Sequence, residues 1–162
     1  SIDLKKLNKY SIIDLKVLKY NFNLYCERIL KNNNMLLIKI LRIVSPISVF
    51  KPVTIMLTDL NLCIKLDYVN KNFIKTLDPA MLSMRSESLD FIFKNSFGFD
   101  TLTVNGCFEE EQKGGFVQAA KSLSIENLNN LGFKFQLKTL FNISIIKQFI
   151  TRLFRVSGKL DQ

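Results

Sequence analysis

From Ile12 onward, large apolar residues return every three or four positions: Ile12, Leu15, Leu18, Phe22, Tyr25, Cys26 and Ile29. This spacing predicts a helix over 11–31 with one apolar face. Ser11 stands where an N-cap belongs, with Asp14 three residues on. A second helix is predicted over 34–44, with Leu37, Ile40, Leu41 and Val44 on one side and Lys39 and Arg42 on the other. Ser45-Pro46 ends it, because the residue before proline avoids helical angles.

The period then drops to two. Residues 53–57 form a short β-branched run, and Ile64, Leu66 and Tyr68 alternate with Lys65 and Asp67 across 63–69. Both read as strands, joined as a hairpin through 58–61. Residues 80–84 read as the next strand. Ser86 reads as the N-cap, with Glu87 in the first turn, of a short helix over 86–95 with Leu89, Ile92 and Phe93 on one face. A corner follows at 95–100, where Gly98 is expected at positive φ. The alternation of Leu102, Val104 and Phe108 predicts a strand over 101–108. A polar turn covers 109–115, a helix in two pieces covers 116–131 with Ser124 between them, and Gly132 ends it. Residues 137–156 carry nine large apolar side chains at helical spacing.

These elements predict an α+β fold: a small, mostly antiparallel sheet packed by helices, with helical extensions at both ends. The units are a basic helical extension at 1–50, an α+β core at 51–132 and an amphipathic helix at 133–162. At 162 residues the chain is long enough to bury its own core. No apolar run approaches the roughly 20 residues of a membrane span, and the opening residues lack a signal-peptide core. A start at Ser1 without methionine reads as a processed or trimmed piece of something longer.

Net charge is +9, from eighteen Lys and five Arg against fourteen acids. The middle, 51–123, has net charge −1, and the flanks carry +6 and +4. Lys, Asn and Ile share A/T-rich codons, so part of this basicity reflects base composition. Histidine is absent, which removes the commonest general base and metal ligand and any Ser-His or Cys-His pair. The three cysteines, Cys26, Cys63 and Cys107, are widely spaced without Cys-x-x-Cys, against both a zinc site and a disulfide framework. Each reads as a small buried apolar residue, Cys107 within the strand over 101–108. Glu109-Glu110-Glu111 reads as a solvated turn, and Lys113-Gly114-Gly115 lacks the spacing of a phosphate loop.

Fourteen phenylalanines stand out beside no tryptophan, six of them between Phe91 and Phe116. They read as one aromatic core or as the lining of an apolar pocket. The pocket candidates are Leu89, Phe93, Phe97, Phe99, Leu102, Val104 and Phe116. The aromatics lie in the neutral middle rather than the basic flanks, which counts against a nucleic-acid surface.

Residues 80–109 run AMLSMRSESLDFIFKNSFGFDTLTVNGCFE. The strand, Ser-x-x-Leu helix, corner and strand ending near Val-Asn-Gly resemble sterol-carrier-protein-like (SCP2-like) domains. Phe-Gly-Phe-Asp-Thr-Leu-Thr-Val-Asn-Gly-Cys-Phe further resembles the accessory segment C-terminal to the catalytic domain in some metallo-β-lactamase-fold hydrolases. The resemblance is clear over about 30 residues and loose over about 70. It implies a non-catalytic module without cofactor or metal that offers an apolar cavity, or a docking surface for a catalytic domain or subunit. The His-rich motif of the hydrolases is absent. The expected ligand is apolar or lipid-like. The alternatives are a peripheral membrane-surface protein using basic amphipathic helices and, ranked lowest, a nucleic-acid-binding module. The cysteine usage favours a cytoplasmic compartment, with a membrane surface as a further location.

Overall fold

Asp14, not Ser11, caps the first helix. Its Oδ1 accepts the Lys16 N–H at 2.7 Å and opens α1 at Leu15–Asn32. Ser11 instead donates its backbone N–H to Glu87. The computed structural model describes residues 11–45 and 49–137; the helix expected over 137–156 lies outside them, apart from its first residue. The asparagine triplet closes one helix and opens the next. Asn32 and Asn33 donate side-chain N–H groups to the Arg28 and Ile29 carbonyls, and Asn34 Oδ1 accepts from Leu37 N at the start of α2, Met35–Val44.

The remaining elements are β1 Val53–Leu57, β2 Leu62–Asp67, β3 Asn72–Lys75, β4 Leu82–Met84, α3 Ser86–Lys94, α4 Gly98–Asn105, β5 Phe108–Glu110, α5 Gly115–Leu123 and α6 Ile125–Asn130. The fold is α+β. The five-stranded sheet runs in the order β3-β2-β1-β4-β5. It is mixed: β1 and β4 pair in parallel, and the other three neighbours pair antiparallel. The β1–β2 hairpin expected through 58–61 forms. A parallel neighbour needs a crossover, and residues between β3 and β4 supply it. On the way, Asp78 ion-pairs with Lys65 at 2.9 Å and receives the Cys63 thiol at its carbonyl.

Register places Val53, Ile55 and Leu57 beside Leu66, Ile64, Leu82 and Met84, with Phe73 opposite Leu66. This face is buried, and α1 contributes Leu18, Phe22, Tyr25, Cys26 and Ile29 to the same core. Phe22 contacts Phe73 of the sheet and Phe93 of α3, at ring-centroid distances of 5.7 and 5.4 Å. The apolar stripe of α1 is therefore engaged by the sheet and α3. In α2 the buried pair is Leu37 and Ile38, while Ile40 and Val44, expected inside with Leu37, are exposed.

Two expected features of the 86–108 region are corrected. Ser86 is the first residue of α3 rather than its cap. Its hydroxyl donates to Asp59 Oδ2 at 2.6 Å and accepts the Ile13 N–H, which ties the chain before α1 to the β1–β2 turn. The strand expected over 101–108 is mostly helix α4, and only Phe108 belongs to a strand. Left-handed residues bracket that helix, Phe97 at φ 61° and Gly106 at φ 62°. Thr101 and Thr103, residues of good β-propensity, return their hydroxyls to the Phe97 and Phe99 carbonyls. Tertiary context overrides the weak local preference. Cys107 accordingly sits exposed outside any strand.

The positive φ expected at Gly98 belongs to Phe97, yet glycine is still required at 98. A β-carbon there would lie 2.8 Å from Ile92 Cα and 2.9 Å from the Phe91 carbonyl oxygen. Gly98→Val is expected to cost about 1–3 kcal/mol, because backbone rather than a flexible side chain must move. Gly98→Ala is expected to share most of that cost, since the first added carbon makes the collision. Denaturant midpoints of both variants equal to the parent's would show that α3 and α4 separate freely.

Candidate functional site

The seven pocket candidates divide by location. Leu89 and Phe93 face inward from α3 and are fully buried; Phe99 and Leu102 are buried from α4. Phe93 lies against Phe22 and Tyr25 of α1. Phe99 joins Phe108 and Phe116 in a three-ring group with centroids 5.5–6.1 Å apart and planes within 14° of parallel. Phe116 is only partly buried and packs on the edge of the core. Phe97 and Val104 turn outward, Val104 with 86% of its surface exposed. Strand alternation would put Val104 inside; in a helix it lies two residues from buried Leu102, on another face.

A cleft of about 260 Å³ opens beside the ring group. Thr58, Ser83, Arg85, Gly106, Cys107 and Phe108 line it. Of the aromatic group only Phe108 reaches it, and none of the seven candidates does. Phe91 of α3 and Phe97 at the start of α4 are each 37% exposed, and Val104 of α4 is exposed as well. Phe97 holds a left-handed backbone that costs a β-carbon-bearing residue about 1–2 kcal/mol. The α4 residues secure it: Thr101 donates both its N–H and its hydroxyl to the Phe97 carbonyl, at 2.9 and 3.0 Å.

Polar contacts, one of them buried, hold α3 in place. Asp90 accepts from Asn21 of α1 at 2.6 Å and pairs with Lys94 one turn on. Arg28 pairs with Glu126 of α6 at 2.6 Å and also donates to the Phe93 carbonyl. These contacts bind α1, α3 and α6 into one layer, and they are structural in character. Among the described residues no group of three or more Cys, Asp or Glu stands close enough to hold a metal ion.

Burial sets the chemistry of the titratable core. It pushes the Cys26 thiol up to about 12 from an ordinary value of 9.0. It also raises Tyr25 and Tyr68 well above their ordinary value of 10.0. All three groups favour their protonated forms in the fold. Stability should be intact below pH 9.0 and fall as pH rises toward about 12, because the unfolded chain releases these protons first. Urea midpoints measured from neutral to strongly alkaline pH check the sign. In thiol labelling at mild alkaline pH, exposed Cys107 is expected to react fastest and half-exposed Cys63, raised by burial and Asp78, more slowly. Cys26 should stay silent until the chain unfolds.

Compared with protein-family models, curated proteins and solved structures, the chain matches none. No described helix is long and apolar enough to cross a membrane.

Proposed function

We propose that this chain is a non-catalytic accessory module that works through a docking surface rather than an enclosed pocket. The catalytic partner suggested by the sequence resemblance is a metallo-β-lactamase-fold hydrolase domain. The observation that carries this reading is the division of the seven candidates. Leu89, Phe93, Phe99 and Leu102 are consumed by core packing, while Phe97 and Val104 of the same segment stand at the surface with Phe91. An exposed apolar group on a rigid helical layer is the usual material of an interface centre. The resemblance of 80–109 supplies the class of partner.

The test is direct binding of the chain to a metallo-β-lactamase-fold hydrolase domain from the same organism, followed by calorimetry and by the hydrolase's own activity. Val104→Asp is the control, because Val104 is exposed and its replacement leaves the core untouched. Binding that Val104→Asp weakens supports the reading. Absence of binding, together with saturable uptake of a fluorescent fatty-acyl probe, would return the function to a pocket.

A further inference from the structure

We propose that the outer face of α2 is a membrane-surface contact that seats the protein on anionic lipid. This inference rests on a different face from the proposed docking surface and stands or falls independently of it. Leu36, Ile40, Ile43 and Val44 lie at i, i+4, i+7 and i+8 of the helix, which places them on one stripe. They are 67%, 46%, 83% and 65% exposed. The inward side of the same helix already buries Leu37 and Ile38. The helix is therefore apolar on two sides, and only one of them is used by the described core. Just before α2, a cleft is lined by Lys31, Asn33, Asn34 and Leu137, the last 58% exposed. The chain is held there by paired hydrogen bonds: Asn34 N to the Phe135 carbonyl and Phe135 N to Asn33 Oδ1.

Charge identifies the occupant. From Arg28 through Thr58 the sequence holds five bases and no acid. Arg28 and Arg42 are committed to Glu126 and Asp67. Lys39, flanking the stripe, and Lys31, at its end, are exposed, and neither makes an ion pair among the described residues. A second copy meeting this face through a two-fold axis would set lysine against lysine. Residues 138–162 of the same chain carry five bases and one acid, so they share its sign and do not complement its lysines. A flat apolar stripe bordered by exposed lysines matches an anionic bilayer, where the apolar side chains enter the acyl boundary and the lysines meet the headgroups.

The chain contains no tryptophan, so one introduced indole reports its own environment. The full chain carrying Ile43→Trp is mixed with vesicles of phosphatidylcholine alone or with phosphatidylserine added. A second variant, Leu77→Trp, places the reporter at a fully exposed site in the crossover between β3 and β4. The expected result for Ile43→Trp is a blue-shifted emission, quenched by bromine-labelled acyl chains, only when phosphatidylserine is present. The emission of Leu77→Trp is expected to stay unshifted. Salt should reverse the binding, and Ile43→Asp combined with Lys39→Glu in the parent chain should weaken flotation with the vesicles at least about tenfold. Circular dichroism checks that this double variant keeps its fold. Failure of the chain to bind phosphatidylserine vesicles would overturn the proposal, as would undiminished binding by the double variant. A dimer in light scattering that Ile43→Asp dissolves, or calorimetric binding of this face to an acidic protein without lipid binding, would overturn it as well.

Discussion

Phe93→Ala is expected to lower the unfolding free energy by about 3–5 kcal/mol, the cost of emptying a fully packed aromatic site. Phe93 is completely buried, with Phe22 and Tyr25 at centroid distances of 5.4 and 5.6 Å. Its backbone carbonyl receives Arg28, which is itself paired with Glu126. Truncation therefore leaves a hole among α1, α3 and the sheet, where the helices are already pinned by polar contacts and cannot collapse inward cheaply. The same substitution separates the two readings of the aromatic region. A side chain lining a ligand cavity would cost much less, since its neighbours on one side would be empty space, and its loss would enlarge the cavity and increase apolar-dye uptake. A large drop in the urea midpoint without new dye binding is the expected outcome. Phe97→Ala, at a site 37% exposed, should cost far less.

The legible parts of this fold are those with an uninterrupted period and a single buried face. In α1 every apolar position at three-four spacing from Leu18 to Ile29 is buried, and the β1–β2 hairpin follows from a β-branched run beside a partly alternating one. Strand β3 leaves no such trace: of its four residues only Phe73 is buried, so no alternation can accumulate. The parallel β1–β4 pairing is equally invisible, because it depends on where the crossover leads the chain and not on either strand's composition. In 101–108 the letters themselves mislead. Thr-Leu-Thr-Val alternates and favours strands, yet the turn at Phe97 and the close approach of Gly98 to Ile92 launch a helix.

The same physics explains the site. Leu89 and Phe93 face inward as their helical spacing implies, because α3 forms where it is expected, and Leu102 stays inside although its element changes from strand to helix. Val104 does not, since one residue's facing reverses when a period of two becomes 3.6. The α2 stripe is hidden in the sequence for another reason. Apart from Lys39 and Arg42, every residue of α2 is apolar, so composition alone cannot say which side the core takes. Once Leu37 and Ile38 are seen to be buried, Leu36, Ile40, Ile43 and Val44 are what remains outside.

Asp67→Ala is expected to have an effect of the same size, about 3–5 kcal/mol, because it strips the partner from a mostly buried arginine. Asp67 is 7% exposed at the end of β2. Arg42 Nη1 reaches both carboxylate oxygens at 3.0 and 3.1 Å, and Nη2 reaches Oδ2 at 3.1 Å. The same carboxylate accepts the Val69 and Asn70 backbone N–H groups and the Asn70 side-chain amide, closing the turn into β3. One side chain thus fastens α2 to the sheet and shapes the β2–β3 connection. Asp67→Asn should fall between the parent and alanine, since an amide oxygen still serves the turn but cannot neutralise Arg42. Denaturant unfolding of the two variants, with Arg42→Met alone and combined with Asp67→Ala, measures the coupling as a double-mutant cycle. A coupling energy below about 1 kcal/mol, the range of exposed ion pairs, would show that water reaches the pair freely and that α2 is held by Leu37 and Ile38 instead.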